Sequence, residues 1–308
     1  MNADTVARVF AAQTGKSALS VRQFEHFTNN CVYRIETESG PYIFKAYAGK
    51  GWPEDGKRLF VNQKLKEHGI PHAQIIAYSP GDDDIPTGYL IEECLPGITA
   101  DRLRFSGQDA IEFYKKLAAL VSRVHQIKMV NYGYTGDGRP AIWTTFSEFA
   151  YDALEDYAVQ LVEKNMVAAN DFETIAREIC RQTKICDGVP PVLNHGDLST
   201  KNMLVHAGEI TLIDWDDAHS LCWMNDIALL TWLIKLEYSD DMAGLYRKAF
   251  MDSYETEHDK SLFRQAEDIL HVRHGLEHLV FFAGKPPFER VKTRLLESLD
   301  RCGIKVTI

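Results

Sequence analysis

The stretch HGDLSTKN (195–202) sets a histidine, an aspartate and an asparagine in one short segment. Twelve residues after Asn202 comes another acid, Asp214, in IDWDD (213–217). Between them, MLVH and ITLID flank the turn AGE, the pattern of a small hairpin. A tight hairpin folds its ends together, so Asn202 and Asp214 are expected to be neighbours. An amide oxygen beside a carboxylate is the hard-oxygen donor set that magnesium takes. Asp197 is then left over, on the same loop, to orient a hydroxyl and accept its proton. The group reads as a metal-and-base arrangement on a loop, a hairpin and a second loop. Taken singly, each of these residues would more often be a turn, cap or packing residue. Their joint spacing is what points to chemistry.

The reaction that needs this set is phosphoryl transfer from a nucleotide to an alcohol. A metal must bridge the charged phosphates and a carboxylate must meet the incoming hydroxyl; the rest is positioning and electrostatics.

The elements around these residues fall into two regions. Residues 4–14 read as a short helix, and CVYRIET, the turn ESG and PYIFKAY as a hairpin. A helix is expected over 56–69, with Leu59, Asn62, Leu65 and Lys66 spread around its turns and Gly69 and Pro71 ending it. AQIIAYSP and TGYLIEECL read as two further strands. After Pro96-Gly97 the pattern turns helical, with helices expected over 108–128, 144–166, 170–184 and most of the chain beyond 226. The expected domains are therefore 1–95, a sheet-rich lobe, and 96–308, a helical lobe. A cleft is expected at their junction near 93–97.

The bulk properties narrow the class. The 308 residues suffice for a sizeable core. The net charge of −10, with most of the acidic surplus after residue 96, argues against a nucleic-acid partner and suits a cationic small molecule. The longest apolar run, IALLTWLI (227–234), is far short of the ~20 residues that span a bilayer, and MNADTVARVF has no signal-peptide pattern. The six cysteines show no CxxC pair and no zinc spacing. Reduced thiols in a cytoplasmic protein, monomer or homodimer, are expected.

HGDLSTKN followed by LIDWDDA resembles the aminoglycoside phosphotransferase and choline kinase superfamily, relatives of the protein kinases. The resemblance implies an α+β fold, bilobal and protein-kinase-like, with a small antiparallel-sheet N-lobe and a larger, mainly helical C-lobe. It implies Mg2+ and ATP, with GTP as an alternative donor. On this pattern Asp197 is the catalytic acid-base residue, Asn202 and Asp214 are magnesium ligands, and Asp226 in NDIA anchors the catalytic loop. Lys45, in YIFKAY, would contact the nucleotide phosphates. The Glu93 carbonyl and the Leu95 amide, in YLIEECLPG, would meet the adenine edge. Lys201 either reaches the transferring phosphate or points to solvent. Asp216 and Asp217 read as solvated or supporting residues.

Two departures stand out. The strand lysine of this superfamily pairs with a helix glutamate, yet the matching position here is Arg58, with Glu54 and Glu67 the nearest acids. The loop HFTNNC (26–31) lacks the glycines of a protein-kinase flap, so Asn29 and Asn30 are the expected phosphate contacts there.

Only twelve residues separate Asp214 from Asp226, too short a segment to dock a peptide. The expected activity is ATP-dependent phosphorylation of a hydroxyl on a small, amino-bearing molecule, an aminoglycoside-type acceptor being favoured. Glu237, Asp240, Asp241 and Glu277 are acids available for its amines. The alternatives are a metabolic choline-, ethanolamine-, homoserine- or sugar-type kinase, a catalytically silent nucleotide-binding regulator, and a metal-dependent hydrolase using the Asp/His cluster, against which His206 and His219, the only histidines near Asp214, show no ligand spacing. The histidines of HVRHGLEHLVFF (271–282) read as part of a packed helix.

Overall fold

Alternation of apolar residues builds the N-terminal sheet. The structure is a computed structural model describing residues 1–24, 30–135 and 141–308. Strands β1 (Ser20–Gln23), β2 (Cys31–Thr37), β3 (Gly40–Ala46), β4 (Ile75–Ser79) and β5 (Tyr89–Glu93) form one sheet in the order β1-β2-β3-β5-β4. Every pairing in it is antiparallel. Because side chains alternate across a strand, Tyr33, Ile35, Phe44, Ala46, Tyr89 and Ile91 share one face. They pack against Val6, Val9 and Phe10 of helix α1 (Ala3–Thr14). The other face carries Lys45 and Glu92, next in sequence to the core residues Phe44 and Ile91.

The expected hairpin and strands are present. Strand β1 is an addition to the expected elements: of its residues SVRQ only Val21 is apolar and packs on the core, and pairing with β2 makes it a strand. Helix α2 (Lys57–Glu67) also forms, within the expected 56–69. Leu59 is 46% exposed, while Lys57, Arg58, Val61 and Leu65 are buried. Positions 57, 61 and 65 recur at four-residue spacing, so they share one face. Two cations lie on that face: Arg58 meets the buried carboxylates of Asp216 and Glu92, and Lys57 meets the Asp216 carbonyl and Glu54.

The chain divides into two compact units. The first comprises Met1–Thr99, Thr135–Arg139 and Leu204–Asp216; the second comprises Ala100–Tyr134, Pro140–Met203 and Asp217–Ile308. In the first, the hairpin strand Glu209–Leu212 pairs with Met203–His206, which in turn pairs with Ile98–Thr99. In the second, Val192–Asn194, His219–Leu221 and Gly133–Tyr134 make a small sheet amid helices. Helix Trp223–Glu237 is buried along most of its length against helices Asp240–Ser253 and Ser261–Phe281. The expected helix 144–166 is two helices, Phe146–Asp152 and Glu155–Glu163. The first starts at a capping box in which Thr145 and Glu148 each satisfy the other's backbone N–H. Among the described residues, no helix is long and apolar enough to cross a membrane, and all six cysteines are free thiols.

Candidate active site

In the second unit, the loop after Val192–Asn194 is fixed by one buried carboxylate. Asp226, in the first turn of helix Trp223–Glu237, accepts the His195 N–H at 2.6 Å and the Gly196 N–H at 2.9 Å. Asn194 closes the join from the other side: its Oδ1 accepts the Asp226 N–H at 3.2 Å and its Nδ2 donates to the Leu221 carbonyl at 3.0 Å. His125 Nε2 lies 3.3 Å from Asp226, and its Nδ1 lies 2.8 Å from the Tyr254 hydroxyl. Burial works against the Asp226 charge, but the bond and charge of His125, the charge of His195 and the Gly196 N–H outweigh it. The carboxyl is held below its ordinary value.

This clamp aims Asp197. The Asp197 side chain is half-buried, its N–H donates to His195 Nδ1, and its Oδ1 accepts the Ser199 N–H at 3.2 Å. Its Oδ2 accepts Asn202 Nδ2 at 2.8 Å, and the same NH2 reaches the Asp197 carbonyl at 3.2 Å. The amide nitrogen of Asn202 is thus committed to Asp197, which turns the other end of the group, Oδ1, away from it.

In the first unit, Lys45 Nζ donates to Asp214 Oδ1 at 2.6 Å and to Asp216 Oδ2 at 3.0 Å. Arg58 Nη1 donates to Asp216 Oδ1 at 2.5 Å and its Nη2 to Glu92 Oε2 at 3.0 Å. Lys57 donates to the Asp216 carbonyl at 3.2 Å and pairs with Glu54. Burial opposes the Asp216 charge, yet the charges of Lys45 and Arg58 prevail and hold its carboxyl at about 2. At Glu92 burial prevails and the carboxyl is raised. Asp214 adopts φ +62°, a left-handed conformation that aspartate tolerates better than most residues and that recurs at functional sites. Its side chain is 33% exposed, against 2% for Asp216.

A model of the phosphotransferase enzyme family matches residues 20–261. The chain belongs to that family. This phosphotransferase is of the small-molecule kinase type and has the α+β, protein-kinase-like fold. It is similar to a thermostable mutant of aminoglycoside phosphotransferase APH(4)-Ia in a ternary complex with ADP and hygromycin B. The TM-score is 0.74 at 15% identity, covering 98% of this chain and 100% of that one. It is similar to APH(2")-IIa in its streptomycin–ATP ternary complex, with TM-score 0.66 at 16% identity, covering 99% and 100%. It is also similar to a protein from Thermobifida fusca described as a candidate fructosamine-3-kinase, with TM-score 0.67 at 19% identity, covering 98% and 99%. No curated protein sequence matches the phosphotransferase.

The phosphotransferase brings together Asp197 with Asn202 in one unit and Lys45 with Asp214 in the other. Asn30 Nδ2 lies 3.3 Å from Asp216, and Asn30 Oδ1 accepts the Ala48 N–H; Asn29 lies outside the described residues. Glu93 ends β5 with its N–H given to the Gln74 carbonyl, and Leu95 follows in irregular chain. Lys201 is exposed. Asp240 pairs with Arg294. Asp216, expected to be solvated or supporting, is only 1% exposed and joins Lys45 to Arg58. A buried acid was needed once Arg58 faced inward, because an unpaired buried cation is costly. The one sequence signal for it was the misfit of Arg58 itself.

Gly196, at φ +82°, has no room for a side chain: a Cβ there would lie 1.8 Å from the Asp217 carbonyl oxygen. Gly196→Ala is expected to lower the melting temperature and cut turnover at least ~100-fold, since a misplacement near 1 Å already costs that much. Gly244→Ala is the control: it meets nothing within 4 Å in helix Asp240–Ser253 and should stabilise by about 1 kcal/mol. A thermal melt and a turnover assay on both variants decide it.

Asp226 gives a pH signature. With its folded carboxyl below the ordinary 3.8, its stabilisation is complete above that value and is lost as pH falls below it through the lower folded value. Asp226→Asn is expected to cost about 2 kcal/mol at neutral pH, the scale of hydrogen bonds to a charged group. Denaturant melts from neutral pH downward should show the gap to wild type closing below pH ~4. A gap that stays constant on acidification would remove the charge from the clamp.

Proposed function

We propose that the protein moves the γ-phosphoryl group of ATP to a hydroxyl of a small, amino-bearing molecule, an aminoglycoside-type acceptor being favoured. The observation that carries this reading is the Asp197 carboxylate. It is reachable from solvent, held by Ser199 and Asn202, and sits on a loop clamped by Asp226. Asp197 orients the acceptor hydroxyl and takes its proton. The acceptor oxygen bonds to phosphorus as the bond from phosphorus to the β-phosphate oxygen breaks, and ADP leaves.

The remaining residues serve the nucleotide. In this reading residues 1–95 bind it and 96–308 supply the catalytic loop and the acceptor site. Lys45 holds phosphate oxygens, Asn30 assists from its loop, and the Glu93 carbonyl and Leu95 amide meet the adenine edge. Lys201 offers its charge to the transferring group. Asn202 Oδ1 and the Asp214 carboxylate are the Mg2+ ligands. They fit, because both are hard oxygen donors and the Asn202 nitrogen is already spoken for by Asp197. Among the described residues no cluster of three or more His, Cys, Asp or Glu forms a cage, so phosphate oxygens and water would complete the shell. Magnesium and ATP supply the phosphoryl donor and neutralise charge on its terminal phosphates.

Acids near the loop support an amino-bearing acceptor. Glu237 lies within the field of Lys201 and Asp101. His278 lies within the fields of both Asp197 and Glu277. The likeness to a candidate fructosamine-3-kinase favours a second reading, an amino sugar outside the antibiotics. The test is magnesium-dependent ADP release with ATP, and then GTP, across aminoglycosides, fructosamines, choline, ethanolamine, homoserine and neutral sugars. Stimulation by an amine-bearing acceptor is expected. Stimulation by neutral sugars alone would overturn the amine, and ATP binding with no stimulation by any acceptor would favour the silent regulator.

A further inference from the structure

We propose that Asp216 is the residue that positions Lys45, with Arg58 bracing it from α2 where a helix acid would otherwise hold the lysine, so that Asp214 stays available to the metal–nucleotide. The inference rests on the nucleotide reading above and assigns roles to two residues that reading leaves idle.

The two carboxylates on Lys45 are not equivalent. Asp214 is a third exposed and contacts the lysine through one oxygen. Asp216 is almost wholly buried and both its oxygens are used: Oδ1 by Arg58, Oδ2 by Lys45 and Asn30. Its carbonyl is held by Lys57 as well. A cation arriving from solvent can therefore draw on Asp214 but not on Asp216.

Charge balance agrees. Lys57 and Glu54 form a pair of their own, leaving Lys45 and Arg58 against Asp214, Asp216 and Glu92. Once Asp214 turns to a metal ion, two cations face two carboxylates, Lys45 on Asp216 and Arg58 between Asp216 and Glu92. An arginine cannot hold a lysine directly, but it can hold the acid that does. The planar fork of Arg58 suits this task because it grips Asp216 through one nitrogen and Glu92 on β5 through the other.

Calorimetric titration of the full chain with Mg·ATP and with adenosine tests this. Adenosine lacks the phosphates that Lys45 would hold. Asp216→Asn is expected to weaken Mg·ATP about tenfold and leave adenosine unchanged, a coupling of ordinary size for contacting charges. Lys45→Met should weaken Mg·ATP as well, and Asp216→Asn added to it should cost nothing more. Unchanged Mg·ATP affinity in Asp216→Asn, or full additivity in the double variant, overturns the inference. Equal loss of adenosine binding would do so too, since it marks a merely structural role. If Asp216→Asn does not fold, Arg58→Lys is measured instead. A single ammonium does not reproduce the two-ended grip, so the same selective loss is expected, and wild-type Mg·ATP affinity there overturns the inference. A wild-type protein that binds no Mg·ATP would instead remove the nucleotide reading itself.

Discussion

Asp197→Ala should abolish phosphoryl transfer while leaving nucleotide affinity within about twofold of wild type. The expected loss in kcat is on the order of 10³-fold, within the range for a positioned acid–base group. The loop should survive the change. Its anchor is Asp226 on the His195 and Gly196 N–H groups, which the substitution does not touch. What goes is the acceptor of the Ser199 N–H and of Asn202 Nδ2. Asn202 keeps its bond to the residue 197 carbonyl, so its amide oxygen should remain presented. Single-turnover assays with Mg·ATP and whichever acceptor stimulates ADP release, alongside a titration of nucleotide alone, give both numbers. Equal turnover in variant and parent would remove Asp197 from the chemistry. Loss of nucleotide binding together with turnover would make it a structural residue.

The second large effect is expected at Asp214. Asp214→Asn should weaken Mg·ATP on the order of 100-fold, because the proposed metal site loses a full negative charge from its ligands and affinity follows ligand charge. Asparagine is the informative replacement. It tolerates the left-handed backbone at φ +62°, so the loop is not strained as it would be by most residues. Lys45 keeps its bond to Asp216, so the interior network retains a partner for its buried cation. The affinity difference between titrations with and without magnesium should shrink in the variant. Undiminished Mg·ATP affinity would count against the ligand role.

The two substitutions also separate what is local in this protein from what is not. HGDLSTKN carries its own geometry. Asp197 and Asn202 are five residues apart, and one loop suffices to bring amide and carboxylate to 2.8 Å. The hairpins, α1 and the helices of the second unit follow from alternation and helical spacing, which are short-range signals. Two elements lack such signals. The polar edge strand β1 depends on its neighbour, and the inward face of α2 shows charges where an apolar stripe would be sought.

By itself, then, the sequence determined the α+β fold class and, through the paired motifs HGDLSTKN and LIDWDDA, the phosphotransferase family, because both are written in short-range patterns. Only the tertiary structure decided what holds Lys45. Its partner Asp216 is 171 positions away, and the Arg58 that braces Asp216 is 158 positions from it. Nothing in local spacing announces such a pairing. It exists because burying any one of these charges is unfavourable until the others are in place, and that condition is met only when strand, helix and loop pack together.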